Sequence, residues 1–178
     1  MQRILIAVDF SSCAESVVRQ GVELARQLDG VVSLLNVVQP QNVSGDTPMP
    51  VDAPAKELTV EEYLQRAAKH RLSKYAALVQ ELRMSPRLVV RYGEDPAEAI
   101  VAEAREWQAS MIVVGTKGRH GLARAIYGSV AEEVVRHADV PVTTIRSRWS
   151  EGCKARSCNW CANELSPEEE RVDAEQSG

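Results

Sequence analysis

"MIVVGTKGRHGLARAIYGSVAEEV", residues 111–134, is an apolar run that stops at Gly115 and a helical pattern that opens at Ser129. Gly118, Gly121 and Gly128 lie between them. From Gly115 to Ala131 the basic or potentially basic side chains are Lys117, Arg119, His120 and Arg124, and no acidic side chain occurs. The formal net charge of the whole chain is -4, so this acid-free connection stands out against its background. A strand, a connection and a helix in this order form a pattern that recurs along the chain; only here is the connection rich in glycine.

Five short Val/Ile/Leu-rich runs read as strands: residues 3–10, 31–38, 87–92, 111–115 and 141–147. Apolar runs without clean alternation suit strands covered on both faces, as in a parallel sheet. The last two runs alternate or weaken, which suits an edge. Four helical patterns separate the strands, and each opens with a capping residue three positions before a Glu. These are Ser12–Glu15, Thr59–Glu62, Asp95–Glu98 and Ser129–Glu132. The cap oxygen takes a free backbone N–H while the Glu reaches back to the cap's own N–H. Pro96 stands at a first helical position, where its missing donor costs nothing.

Each helix carries one apolar stripe. The stripes are Val18, Val22, Ala25 and Leu28; then Leu64, Ala68, Leu72, Tyr75, Val79 and Leu82. They continue with Ala97, Ile100, Val101, Ala104 and Trp107, and finally Val130, Val134, Val135 and Ala138. They read as core packing. The order β-α-β-loop-α-β-α-β-α-β predicts an α/β fold: an open parallel five-stranded sheet with helices on both faces, Rossmann-like.

A chain of 178 residues, 44% hydrophobic and 26% charged, suits one soluble globular domain with an appendage. Aromatic residues are only 4%, so the core must be mostly aliphatic. The mild acidity argues against a general nucleic-acid or membrane-surface binder. Asp9 interrupts the N-terminal "ILIAV" too soon for an export signal or a membrane span, and a cytoplasmic setting is expected. Residues 39–56 hold half of the eight prolines and read as a loop near the carboxyl ends of the strands. Periodicity fades near Ser147. The expected organisation is a domain at 1–147 and a Cys-containing, acidic tail at 148–178.

Ligands of open α/β sheets lie beyond the carboxyl ends of the strands, where strand order reverses. Glycines after the fourth strand allow close backbone approach, and successive N–H groups in such turns form anion sites. The head of the Ser129 helix adds free N–H groups and a favourable dipole. No G-x-x-x-x-G-K-[ST] occurs, and the turn after the first strand is "DFSSCAES", so the standard P-loop and dinucleotide readings are excluded.

On these residues the chain resembles the universal stress proteins. Gly115, Gly118, Gly128 and Ser129 match the G-x2-G-x9-G-[ST] pattern of that family's nucleotide-binding branch. "ILIAVDFS", "LLNVV", "GEDPAEAIVAEA" and "ADVPVTTIR" resemble its first strand, second strand, third helix and closing strand, together covering about residues 1–147. The resemblance implies an adenine nucleotide alpha hydrolase-like fold and an ATP site. In it, Asp9 lies at the ribose and phosphate end, and Val37 meets the adenine edge through its backbone. Gly115, Gly118, Gly128 and Ser129 cradle the phosphates, with Arg119 as an added positive contact. Mg²⁺ would screen Asp9 from the phosphates. Lys117 and Asn36 depart from the histidines common in relatives, and neither removes a backbone donor. The resemblance also implies a homodimer through the last strand, which would otherwise leave backbone groups unpaired.

The expected function is an ATP-binding, stress-responsive regulatory module whose nucleotide state alters its surface for a protein partner. Two alternatives stay open. One is a slow ATP-hydrolysing enzyme on the same fold, although no candidate base is visible and no catalytic residue is assigned. The other is a redox or metal module acting through Cys153, Cys158 and Cys161, whose C-x4-C-x2-C spacing offers three soft ligands where structural zinc normally takes four. Asp9 has a plainer reading as a cap of the first helical turn or a partner of the neighbouring loop. His70, His120 and His137 read as surface residues.

Overall fold

The computed structural model describes residues 1–11, 13–39, 59–116 and 129–146. The strands are β1 (Gln2–Ala7), β2 (Gly30–Val38), β3 (Arg87–Tyr92), β4 (Met111–Gly115) and β5 (Val142–Ile145). The helices are α1 (Ala14–Gln27), α2 (Val60–Glu81), α3 (Pro96–Glu106) and α4 (Ser129–His137). All strand pairings are parallel, in the order β3-β2-β1-β4-β5. The chain runs outward from β1 to β3, then returns to β4 on the opposite side. The strand order therefore reverses between β1 and β4, at the carboxyl edge that precedes α1 and α4.

Alternation along the strands divides the core into two layers. Ile4, Ile6, Val32, Leu34 and Val113 pack with Val18 and Val22 of α1 and Leu72 and Val79 of α2. Leu5, Leu35, Ile112 and Val114 face the other way, onto Ile100 and Ala104 of α3 and Ala131 and Val134 of α4. The helices thus cover both faces, as the pattern predicts. Gly21 brings α1 close to the sheet: a Cβ there would stand 2.7 Å from Ile6 Cδ1.

The Thr59 cap is present as read, and the Asp95 cap is present without the bond back from Glu98. Thr59 accepts from Glu62 N–H while Glu62 reaches back to the Thr59 amide, and Asp95 accepts from the Ala97 and Glu98 amides. Helix α1 differs. Its N-cap is Cys13, without a side-chain cap, and Ala14 N–H instead bonds Ser11 C=O at 3.1 Å. The main chain already satisfies that donor. The position before Ser129 lies outside the described residues.

Three further expectations need correction. Strand β4 lies inside the sheet, because β5 pairs along its outer side from Ile112 to Gly115; the edges are β5 and β3. Leu28 is 40% exposed because it is the C-cap rather than part of the stripe. On α4, Ala131 takes the buried position beside Val134, leaving Val130 and Val135 exposed.

The aliphatic pattern also hides a buried charge. Glu103, wholly inside, accepts from Arg87 at 2.5 Å and Arg91 at 2.6 Å, both from edge strand β3. Arg87 also donates to buried Ser33 and lies over the Trp107 ring, while Arg91 pairs with Glu106. This network fastens β3 to α3.

Candidate functional site

The site is organised by β1 ending before its neighbours do. The β1–β2 register closes at Ala7↔Leu35 and the β1–β4 register at Ile6↔Val113. Strand β2 runs on to Val38 and β4 to Gly115. A notch therefore opens at the carboxyl edge between the two strands that run on past β1, with the turn containing Asp9 at its base.

Hydrogen-bond alternation determines which groups face this notch. Val8 N–H donates to Leu35 C=O at 2.8 Å, so Leu35 faces β1; Gly93 N–H donates to Val38 C=O at 3.1 Å, so Val38 faces β3. Val37, two residues past Leu35, directs its main-chain N–H and C=O to the β1 side beyond the last rung. The next rung would carry Val37 N–H to Val8 C=O. That carbonyl accepts instead from buried Asn36 Nδ2, at 2.6 Å. On the other wall, Thr116 sends its amide and hydroxyl to Ile145 C=O at 3.0 and 3.4 Å, so Thr116 faces β5 and Gly115 faces β1.

Asp9 is half-buried, and its Oδ1 accepts from Ser11 N–H at 3.0 Å. The plainer reading of a bond to the neighbouring loop is therefore correct for one oxygen. That turn spans Phe10, which holds φ 59°. A bulky L-residue in this region is strained, on the order of 1–3 kcal/mol. The Phe10 ring stacks on Tyr75 of α2 with centroids 6.1 Å apart, and the Arg71 guanidinium lies 4.2 Å from its centroid.

Burial and then the Asp9 charge push the Tyr75 phenol above the ordinary tyrosine range, with Arg71 opposing. Asp9→Asn is accordingly expected to lower the Tyr75 ionisation point, read by NMR on ring-labelled tyrosine. An unmoved titration would place the Asp9 charge away from α2.

The fold thus brings Asp9, Val37 and Gly115 to one notch. Ser129 opens α4, which follows β4 and runs back along the sheet, so that helix head also lies at the carboxyl edge. Gly118, Arg119 and Gly128 lie outside the described residues, as do Lys117, His120, all of the predicted 39–56 connection beyond Gln39, and Cys153, Cys158 and Cys161. His70 and His137 are exposed. Among the described residues no group of His, Cys, Asp or Glu is arranged to hold a metal by itself, and no helix is long and apolar enough to cross a membrane. Sequence reading missed Asn36 as the residue that ends the β1–β2 ladder. Its signal was a lone amide within an apolar strand. It also missed the Phe10–Tyr75–Arg71 stack, since Tyr75 read only as core.

A doubly wound parallel sheet with backbone groups left open at its strand-order reversal defines a class of α/β proteins that take ligands at this edge. Within that class, the chain belongs to the universal stress protein family, which matches over residues 1–146. A universal stress protein from Methanocaldococcus jannaschii is 30% identical over 145 residues, covering 82% of each chain. Among solved structures, a universal stress protein from Lactobacillus plantarum is similar at 25% identity and TM-score 0.65, covering 82% of this chain and 97% of that one. A universal stress protein from Archaeoglobus fulgidus, solved in complex with dAMP, is similar at 25% identity and TM-score 0.58, covering 82% and 98%.

Proposed function

We propose that this chain is an ATP-binding regulatory universal stress protein whose nucleotide state changes the surface it offers to a protein partner. The observation that carries the reading is the notch itself: the open main chain of Val37 faces the open side of Gly115 across the turn that holds Asp9. The bound dAMP of the similar Archaeoglobus protein supports an adenine nucleotide as the ligand class. Val37 meets the adenine edge, and Asp9 lies at the ribose and phosphate end. Gly115, Gly118, Gly128 and Ser129 cradle the phosphates, with Arg119 beside them. Asp9 fits Mg²⁺, because one of its oxygens is engaged by Ser11 and the other remains for a cation that commonly takes one carboxylate plus phosphate oxygens. Bound there, Mg²⁺ would neutralise the like charges of carboxylate and polyphosphate.

A ligand that favours one arrangement of this edge shifts the population toward it, which a partner reads. The direct test is to denature freshly purified protein, identify the small molecules released, and titrate the emptied chain with ATP and Mg²⁺. An adenine nucleotide in the extract and saturable binding are expected. No binding at millimolar ATP would remove the reading.

We also propose a homodimer through β5. This strand is an edge, and its hydrogen-bond alternation supports the surface. Pro141 and Ile145 carbonyls face β4, so Val142 and Thr144 direct their main-chain groups outward. Thr144→Pro removes an outward donor without removing a β4–β5 bond, as an edge position permits. It is expected to convert dimer to monomer in sedimentation experiments with little loss of stability. A variant that stays dimeric would place the interface elsewhere.

A further inference from the structure

We propose that Phe10 is a positioning residue for the nucleotide site, holding the Asp9 turn in place by anchoring it to α2. The inference rests on the nucleotide reading above and adds a residue outside the phosphate-binding pattern. Phe10, the chain's single phenylalanine, sits between the two ends of the Asp9–Ser11 hydrogen bond with φ 59°. That bond closes the turn, but the conformation remains unfavourable for a bulky side chain and persists where surrounding contacts over-determine it. The contacts are present. The ring stacks on Tyr75 and lies beside the Arg71 guanidinium, which stand four residues apart on one face of α2.

The same ring packs at the border of two apolar groups, one with Tyr75 and Val79 and one with Val38, Leu64 and Ala68. It is thereby held by α2 and by the end of β2, the strand that carries Val37. If the ring is lost, the backbone at position 10 is free to relax to negative φ, and the carboxylate of Asp9 turns with it. Helix α2 then no longer supports the base of the notch. The coupling runs both ways: a ligand that requires Asp9 in place also favours the docked position of α2.

The test is calorimetric titration of the full chain with ATP and Mg²⁺, with circular dichroism to confirm folding. Phe10→Ala keeps an L-residue at the strained position without its anchor, and binding is expected to weaken about tenfold, or about 1.4 kcal/mol. Phe10→Gly also lacks the ring but adopts positive φ freely, and is expected to regain about threefold over the Ala variant. A merely space-filling Phe10 predicts no such recovery, since Gly fills less space than Ala. Tyr75→Leu keeps apolar volume but removes the stack, and is expected to weaken binding about threefold even if Phe10→Ala fails to fold. Wild-type binding with Phe10→Ala and Tyr75→Leu both within about twofold overturns this inference alone. A Gly variant no tighter than Ala also overturns it. Absence of wild-type binding removes the nucleotide reading and this inference together.

Discussion

ATP affinity in the Gly118→Val variant is expected to fall by about 100-fold or more, about 2.7 kcal/mol, with the fold intact. Gly118 follows β4 by three residues in the sequence, and β4 ends at the edge where strand order reverses. If the main chain there approaches the phosphates closely, a β-branched side chain occupies ligand space and restricts the backbone torsions that a concave N–H turn needs. The fold should tolerate the change, because both layers of the described core form from residues elsewhere. Titration of the purified variant, with its thermal transition alongside, measures both quantities. Unchanged affinity would remove the Gly-rich connection from the site. Lost affinity with lost folding would show a structural role for Gly118 instead.

The second large effect concerns stability rather than binding. Replacing Arg87 and Arg91 together by Ala is expected to cost about 3–5 kcal/mol, because it leaves the Glu103 carboxylate buried without its partners. The asymmetry lies in the exposures: the side chains of Arg87 and Arg91 are 46% and 36% exposed, while that of Glu103 is 0%. The arginines can return to water where they stand, and the carboxylate cannot. Adding Glu103→Leu to the double variant should therefore recover most of the loss, since an apolar side chain of similar size needs no partner. Denaturant unfolding of the double and triple variants checks the order. A double variant within about 1 kcal/mol of wild type would show that Glu103 draws its stabilisation from elsewhere. The network also places inward-pointing charge on an edge strand, a common means of discouraging pairing with another chain. Strand β5 has no comparable charge in its four residues, which agrees with the proposed dimer edge.

Periodicity and capping residues were enough to establish the element order. A parallel strand buried on both faces must be aliphatic, and a helix must begin by satisfying its free amides. Those local requirements wrote the five strands and the Thr59 and Asp95 caps directly into the chain. The carboxyl-edge location of Gly115 was legible for the same reason, since it ends a strand; Asp9 and Val37 were singled out only by the family resemblance, and Asp9 falls beyond β1 although the predicted strand 3–10 contained it. Tertiary structure decided what depends on residues far apart in sequence. Whether β4 is an edge depends on where β5 docks. Whether Glu103 is solvated or buried depends on β3 arriving beside α3, and the role of Asn36 at the end of the ladder depends on the Val8 carbonyl, just past β1, lying within its reach. Phe10 holds a left-handed backbone where α2 brings Tyr75 and Arg71 against its ring. Hydrogen bonds and ring contacts of this kind have no periodic trace, because their partners are set by packing distance and not by spacing along the chain.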